Sequence, residues 1–294
     1  MNNENQAAAP GWPGTSPRWT SSAKSGVGTA LNLSSRVWFT LSHGIFDEIY
    51  YPRVDQACIR DMGMIVTDGK DFFSEEKRQT KQQIEMLENG VPAYQITNTC
   101  LDGRYEIKKD ILTDPHRDVV LQRTQFTPLK GDLDTYHLYV LLAPHLGNGG
   151  AENTAWVGDY KGVPMLFAER DGNALALACT APWLKRSAGF VGVSDGWQDL
   201  NDHKQMAWTY DRAENGNVAL TGEIDLSSSG GSFVLALGFG LNVAEAGQRV
   251  LASFLDGFDK ARSVYVHEWR NWQHTLETLP DMDAEPAKAN LYDV

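Results

Sequence analysis

Cysteine is scarce in this chain. Cys58, Cys100 and Cys179 are odd in number and far apart, so they suggest neither a zinc spacing nor a disulfide framework. Basic charge is also in short supply: 26 Lys and Arg stand against 38 Asp and Glu, for a net charge of −12. No Lys and Arg cluster stands ready to neutralise phosphates, which argues against a nucleic-acid partner and suits a neutral or cationic ligand. No apolar run approaches the ~18 residues of a membrane span, so no membrane partner is expected. The opening "MNNENQAAAPGWPGTSPRW" lacks the basic and apolar regions of a signal peptide. As printed it implies a cytoplasmic protein; a removed signal would imply a periplasmic or secreted one.

Catalytic signatures are missing too. The seven histidines, His43, His116, His137, His145, His203, His267 and His274, form no i, i+2 or i, i+4 pair, so no metal site is expected. There is no G-x-S-x-G elbow. The "GNGG" at 147–150 precedes no G-K-[ST] and opens no helix after a strand, so no phosphate cradle and no cofactor are expected.

What is present is β pattern. From about residue 34 to 241 the chain consists of short apolar or alternating runs, among them "YEIKKDILTD", "TYHLYVLLAP", "QMAWTYD" and "SFVLALGFGL". Asp-Gly, Asn-Gly and Gly-Gly signals separate them, which is hairpin chemistry. Many strands with no helices between them predict an all-β antiparallel fold, and about 200 residues of it predict two large stacked sheets. Residues 1–20, with Pro10, Pro13 and Pro17, read as an extended arm, and 21–243 as the β-domain. From 244 the period becomes helical: Val250, Phe254, Ala261, Tyr265, Trp269, Trp272 and Leu276 form a stripe that Leu251, Leu255 and Phe258 widen. Gly257 marks a break or kink, and Pro280 a stop. The short acidic "DMDAEPAKANLYDV" then reads as the start of a further element, so residues 244–294 are expected to link to another domain.

The densest stretch is "VWFTLSHGIFDEIYYPRVDQACIRDMGMIVTDGK", 37–70. Asp47 and Glu48 are adjacent, so in a regular strand they point to opposite faces and cannot serve one bond as acid and base. Glu75 and Glu76 share that defect and read as turn or solvated-face residues. Phe39, Ile45, Ile49 and Tyr51 are expected to alternate on one face, and Glu48 to form an ion pair with the Arg60–Asp61 region. No self-contained catalytic set emerges. The nine Trp, ten Tyr and eleven Phe either fill cores or stack on sugar rings.

Taken together, "WTSSAKSGVGTAL" (19–31), "VWFTLSHGIFDEIYYPRVDQACIRDMGMIVTDGKDFF" (37–73) and "FLDGFDKARSVYVHEWRNW" (254–272) resemble the N-terminal domain of bacterial glucoamylases and glucodextranases, glycoside hydrolase family fifteen. The resemblance implies a large antiparallel β-supersandwich and a helical linker to an (α/α)6 barrel. That barrel, part of the same parent chain, carries two glutamates that invert an α-glucosidic bond and meets the α-glucan substrate. Neither glutamate maps onto this sequence, so no catalytic residue is assigned. His43, Asp47, Glu48, Tyr50, Tyr51, Arg60, Asp61 and Trp156 are then candidates for a substrate rim or domain interface. Phe254, Tyr265, Trp269 and Trp272 are candidates for a helix between two partners. Two rival readings remain: an independent carbohydrate-binding module with Trp156, Trp183, Trp197 and Trp208 as an exposed row, and the N-terminal domain of a related transglucosylase.

Overall fold

A computed structural model describes residues 7–276; the proposed stop at Pro280, the acidic segment after it and the first six residues of the arm lie outside the described residues. Two antiparallel sheets stack face to face. The first runs in the order Gly26–Thr29, Trp38–Ser42, Ile45–Tyr50, Ala57–Thr67, His137–Pro144, Val218–Ile224, Trp183–Phe190, with Phe73–Glu75 also paired to Ala57–Thr67. The second runs Arg212–Gly216, Asn153–Tyr160, Val163–Arg170, Asn173–Cys179, Ser232–Gly240, Val119–Pro128, Tyr105–Thr113, Val91–Cys100, Thr80–Glu88. The expected supersandwich is therefore present. Between the sheets lies one core, with Phe39, Phe46, Tyr105, Phe126, Leu220 and Phe239 among its members.

Turn chemistry sets the registers. Ser42 and Ile45 pair across His43 and Gly44, whose φ angles are 51° and 76°. Two consecutive positive φ values make the two-residue turn whose twist matches a hairpin. Among the described residues three short α-helices, Glu76–Gln79, Gly196–His203 and Leu226–Ser229, and two 3-10 turns, Leu133–Thr135 and Leu146–Asn148, interrupt the expected run of strands. Gly196–His203 is fixed by its cap, the Asp195 carboxylate accepting from the Trp197 and Gln198 N–H groups. "QMAWTYD" is not a strand; the edge strand begins only at Arg212.

The C-terminal helices, Val243–Asp256 and Phe258–His274, are split at Gly257, which has φ 83°. They cover the outer face of the second sheet in a second core, with Val250, Phe258, Ala261 and Tyr265 against Leu121, Phe167, Ala176 and Ala236. Gly238 permits the approach, since a Cβ there would stand 2.7 Å from the Ala246 carbonyl oxygen. Tyr265 donates to the carbonyls of Thr29 (2.6 Å) and Pro92 (2.9 Å), one from each sheet, and Trp269 Nε1 donates to Thr29 at 3.1 Å. Phe254 is half-buried against the same core. The expected stripe is too wide in one respect: Leu255 is 89% exposed, because the seat of the helix lies along Ala246, Val250 and Ser253.

One ion pair sits between the sheets. Glu76 and Lys109 are both buried and 2.6 Å apart. Asn98 donates to Glu76 (2.6 Å) and to the Gly44 carbonyl (2.8 Å), Lys109 donates to that carbonyl at 2.5 Å, and the Met64 N–H donates to Glu76 at 3.0 Å. Glu76 is thus neither a turn nor a solvated-face residue: Lys109, Asn98 and the Met64 N–H satisfy its buried charge. Glu76→Gln leaves Lys109 without its counter-charge and is expected to lower the unfolding free energy by about 3–5 kcal/mol. Chemical denaturation reads this, and Glu76→Leu with Lys109→Met should cost much less than the single change. A single-variant loss below about 1 kcal/mol would show the pair to be dispensable.

Candidate functional site on the outer face of the first sheet

The strand Ile45–Tyr50 does not alternate regularly. Thr40 pairs with Glu48 but Leu41 pairs with Phe46, so Asp47 is an extra residue, a β-bulge. The bulge brings Asp47 and Glu48 together, and both carboxylates meet the Lys24 ammonium, Glu48 at 2.8 Å. The expectation that they point apart is corrected by this extra residue. The bulge also places Phe46, Ile49 and Tyr51 in the inter-sheet core with Phe39, while Ile45 faces outward. Nor does Glu48 pair with Arg60. Its partners are Lys24 and the Tyr50 hydroxyl, which donates to it at 2.6 Å. Burial, then the Glu48 carboxylate, push the Tyr50 phenol up. Burial pulls the Lys24 ammonium down, but its bonds to Asp47 and Glu48 outweigh that and its pKa is raised.

Beside this cluster is a cleft of about 240 Å³. Ile45, Gly63, Leu141 and Ala219 form its apolar part. Arg60 and Asp61 pair with each other at 3.1 Å, and Lys77 reaches Asp61 at 3.4 Å. Arg78 pairs with Glu75 at 2.6 Å, and Trp197 Nε1 donates to the same carboxylate at 3.1 Å. The sequence reading left Lys77 out, took Glu75 for a turn or solvated-face residue and placed Trp197 in an exposed row. A three-residue strand, a one-turn helix and an eight-residue helix carry too little periodicity to place them.

The remaining candidates lie apart. His43 is exposed at the hairpin tip. Tyr51 points inward, stacked on Phe239 with ring centroids 5.7 Å apart, and accepts from Arg36 (3.1 Å) and Arg249 (3.3 Å). Trp156 belongs to the second sheet, stacked on Phe167 with Arg212 over its ring. Trp197 lines the cleft and Trp208 lies edge-on to His203, and all four tryptophans of the expected row are partly buried. They do not form one exposed platform. Burial pushes the Cys58 and Cys179 thiols up to about 11 and about 12, so neither is an activated nucleophile. Among the described residues no group of three His, Cys, Asp or Glu is placed to hold a metal.

The family described as glucodextranase, domain N, matches residues 9–274. The chain belongs to that family. This domain N is 36% identical over 275 residues to a glucoamylase of Clostridium sp. (strain G0005), covering 94% of the chain and 39% of that relative. A crystal structure of a bacterial glucoamylase complexed with acarbose superposes with a TM-score of 0.90 at 36% identity, over 93% of this chain and 40% of that one. A gh92 family glycosyl hydrolase, 8% identical with a TM-score of 0.51, shares the fold alone. The chain is thus an N-terminal domain of the glucoamylase type, and it spans about two-fifths of the length of the relatives it matches.

In this domain N the arm is part of the sandwich. Ala9 N–H donates to Arg212 O and Thr15 N–H to Val191 O, and Trp19 lies edge-on to His145 with centroids 4.8 Å apart. His145 is buried, and neither ring nitrogen has a partner among the described residues. Burial, then the Arg60 charge, lower its pKa from 6.5 to about 4, while Asp61 acts in the opposite sense. The sign follows: the unfolded chain takes up the proton first, so this contribution is complete above about pH 6.5 and lost as pH falls toward about 4. His145→Phe should flatten the stability profile across that window relative to the unaltered chain. Parallel denaturation curves with identical slopes for both chains would contradict the assignment.

Proposed function

We propose that this chain is a non-catalytic domain that supports and positions the catalytic domain of an exo-acting enzyme that cleaves α-glucans. Its family membership and its likeness to two glucoamylases support the enzyme class. The observation that carries the docking role is an apolar groove of about 750 Å³ at the end of the last helix. Val27, Met86, Tyr94, Trp269, Trp272 and Leu276 line it. Trp272 is 45% and Leu276 51% exposed, and Val27 and Met86 are each 44% exposed. One edge of the helix is seated on the sandwich through Tyr265 and Trp269, and beside it Trp272 and Leu276, with Val27 and Met86 of the neighbouring strands, face a second partner. The occupant we assign is the catalytic domain of the same parent chain, an (α/α)6 barrel in this reading. Covering each large apolar side chain contributes about 1.5–3 kcal/mol. The clustered charges of the first sheet are mutually paired, which suits rigid positioning better than proton transfer.

Two measurements test the reading. The pure 294-residue chain should release no glucose from maltooligosaccharides or dextran. Release that a substitution within the chain abolishes would overturn the assignment. In the parent enzyme, Trp272→Ala with Leu276→Ala should split one calorimetric unfolding transition into two while the fold of this domain is retained. A single unshifted transition would show that the groove is not the docking surface.

A further inference from the structure

Resting on that reading, we propose that the cleft between Trp197 and the Arg60–Asp61 pair is a glucan-binding site, taking a neutral glucose unit of an oligosaccharide. Arg60, Lys77 and Arg78 line it together with Asp61, Glu75 and Asp195, three cations against three carboxylates. An ionic ligand gains no net attraction from such a lining. A neutral polyol gains hydrogen bonds from both signs of charge, because ion-paired guanidinium and carboxylate groups keep further donors and lone pairs. The floor of Ile45, Gly63, Leu141 and Ala219 is apolar. A pyranose ring combines an apolar C–H face with a rim of hydroxyls, and so matches both parts.

Trp197 supplies the aromatic wall. Its ring is held edge-on to Phe73 at 5.9 Å, and its Nε1 is anchored on Glu75 at 3.1 Å, so it meets a ligand already ordered. Only the backbone N–H of Gln198 is held, by Asp195 at 3.3 Å, and its amide side chain lines the cleft as a neutral donor and acceptor. The volume of about 240 Å³ falls below the ~300–1,000 Å³ of drug-sized sites, which suits one or two rings rather than a polypeptide segment. The cleft shares no lining residue with the groove beside Trp272.

Isothermal titration calorimetry of the 294-residue chain with maltotriose, isomaltotriose, sorbitol and glucose 6-phosphate tests the proposal. Saturable binding of a neutral trisaccharide is expected, with sorbitol and the phosphate weaker. Trp197→Ala should weaken it by about 10-fold, the loss of one aromatic contact. Gln198→Ala, a change on a partly exposed helix face, should weaken it while circular dichroism and melting stay unchanged. Heat-silent titrations with both trisaccharides, or binding that both variants leave intact, would overturn the site. Trp272→Ala separates the two readings, since it should uncouple the parent's domains without altering sugar binding.

Discussion

A single buried charge pair decides how the two sheets meet. Glu76 sits on a one-turn helix beside the first sheet, and Lys109 and Asn98 rise from the second. Desolvating both ions is costly, and their mutual contact with the surrounding hydrogen bonds offsets that cost. The backbone of Gly44 and Met64 supplies two of those partners from the first sheet. A side chain at Gly44 would collide with Asn98, so the turn that closes the first hairpin and the inter-sheet contact require the same residue. Burial lowers the Lys109 pKa and the Glu76 charge works against that shift. Sliding either sheet by one residue would strand an ion in the core, so the pair fixes the register as well as the contact.

Upon that register rests the charged outer face. The bulge at Asp47 lies in the strand that begins at Ile45, directly after the anchored turn. It turns two carboxylates to one side, where both meet the ammonium of Lys24, just past the arm. The end of the arm gives Thr20 to Lys77 and Trp19 to His145. Chain order therefore matters little to this face: residues around 20, 47, 61, 77 and 197 converge because the first sheet presents its central strands there.

How much of this was legible depended on period. Tyr105, Ile107 and Ile111 alternate, and Lys109 falls on the same inward face, so the strand pattern held a signal for the buried lysine. Hydrophobicity alone gave no reason to heed it. The large sheets and the paired C-terminal helices came from patterns ten or more residues long. The bulge was invisible because one inserted residue changes the facing of its neighbours without changing composition. Glu76 and Trp197 lie on helices of four and eight residues, too short for their facing to be read. Tyr51 shares the expected face with Phe39 and Ile49 but is no rim residue: its hydroxyl is held inside by Arg36 and Arg249, both also paired with Asp118, and Arg249 lies 198 residues away in the chain.

The two sheets differ in what their outer faces are free to do. Helices cover part of the second sheet's outer face, with Tyr265 tying them to both layers, and an apolar groove lies at the end of the last helix. The first sheet is crossed by the arm and by Gly196–His203, which leave a charge-balanced cleft. The chain carries a net charge of −12, yet this cleft has equal numbers of each sign. Balanced charge over an apolar floor repels neither sign and selects for neutral, hydrogen-bonding surfaces. The apolar groove selects instead for a dry protein contact. Because the two share no residue, the fold keeps a charge-balanced cleft and an apolar groove as separate surfaces.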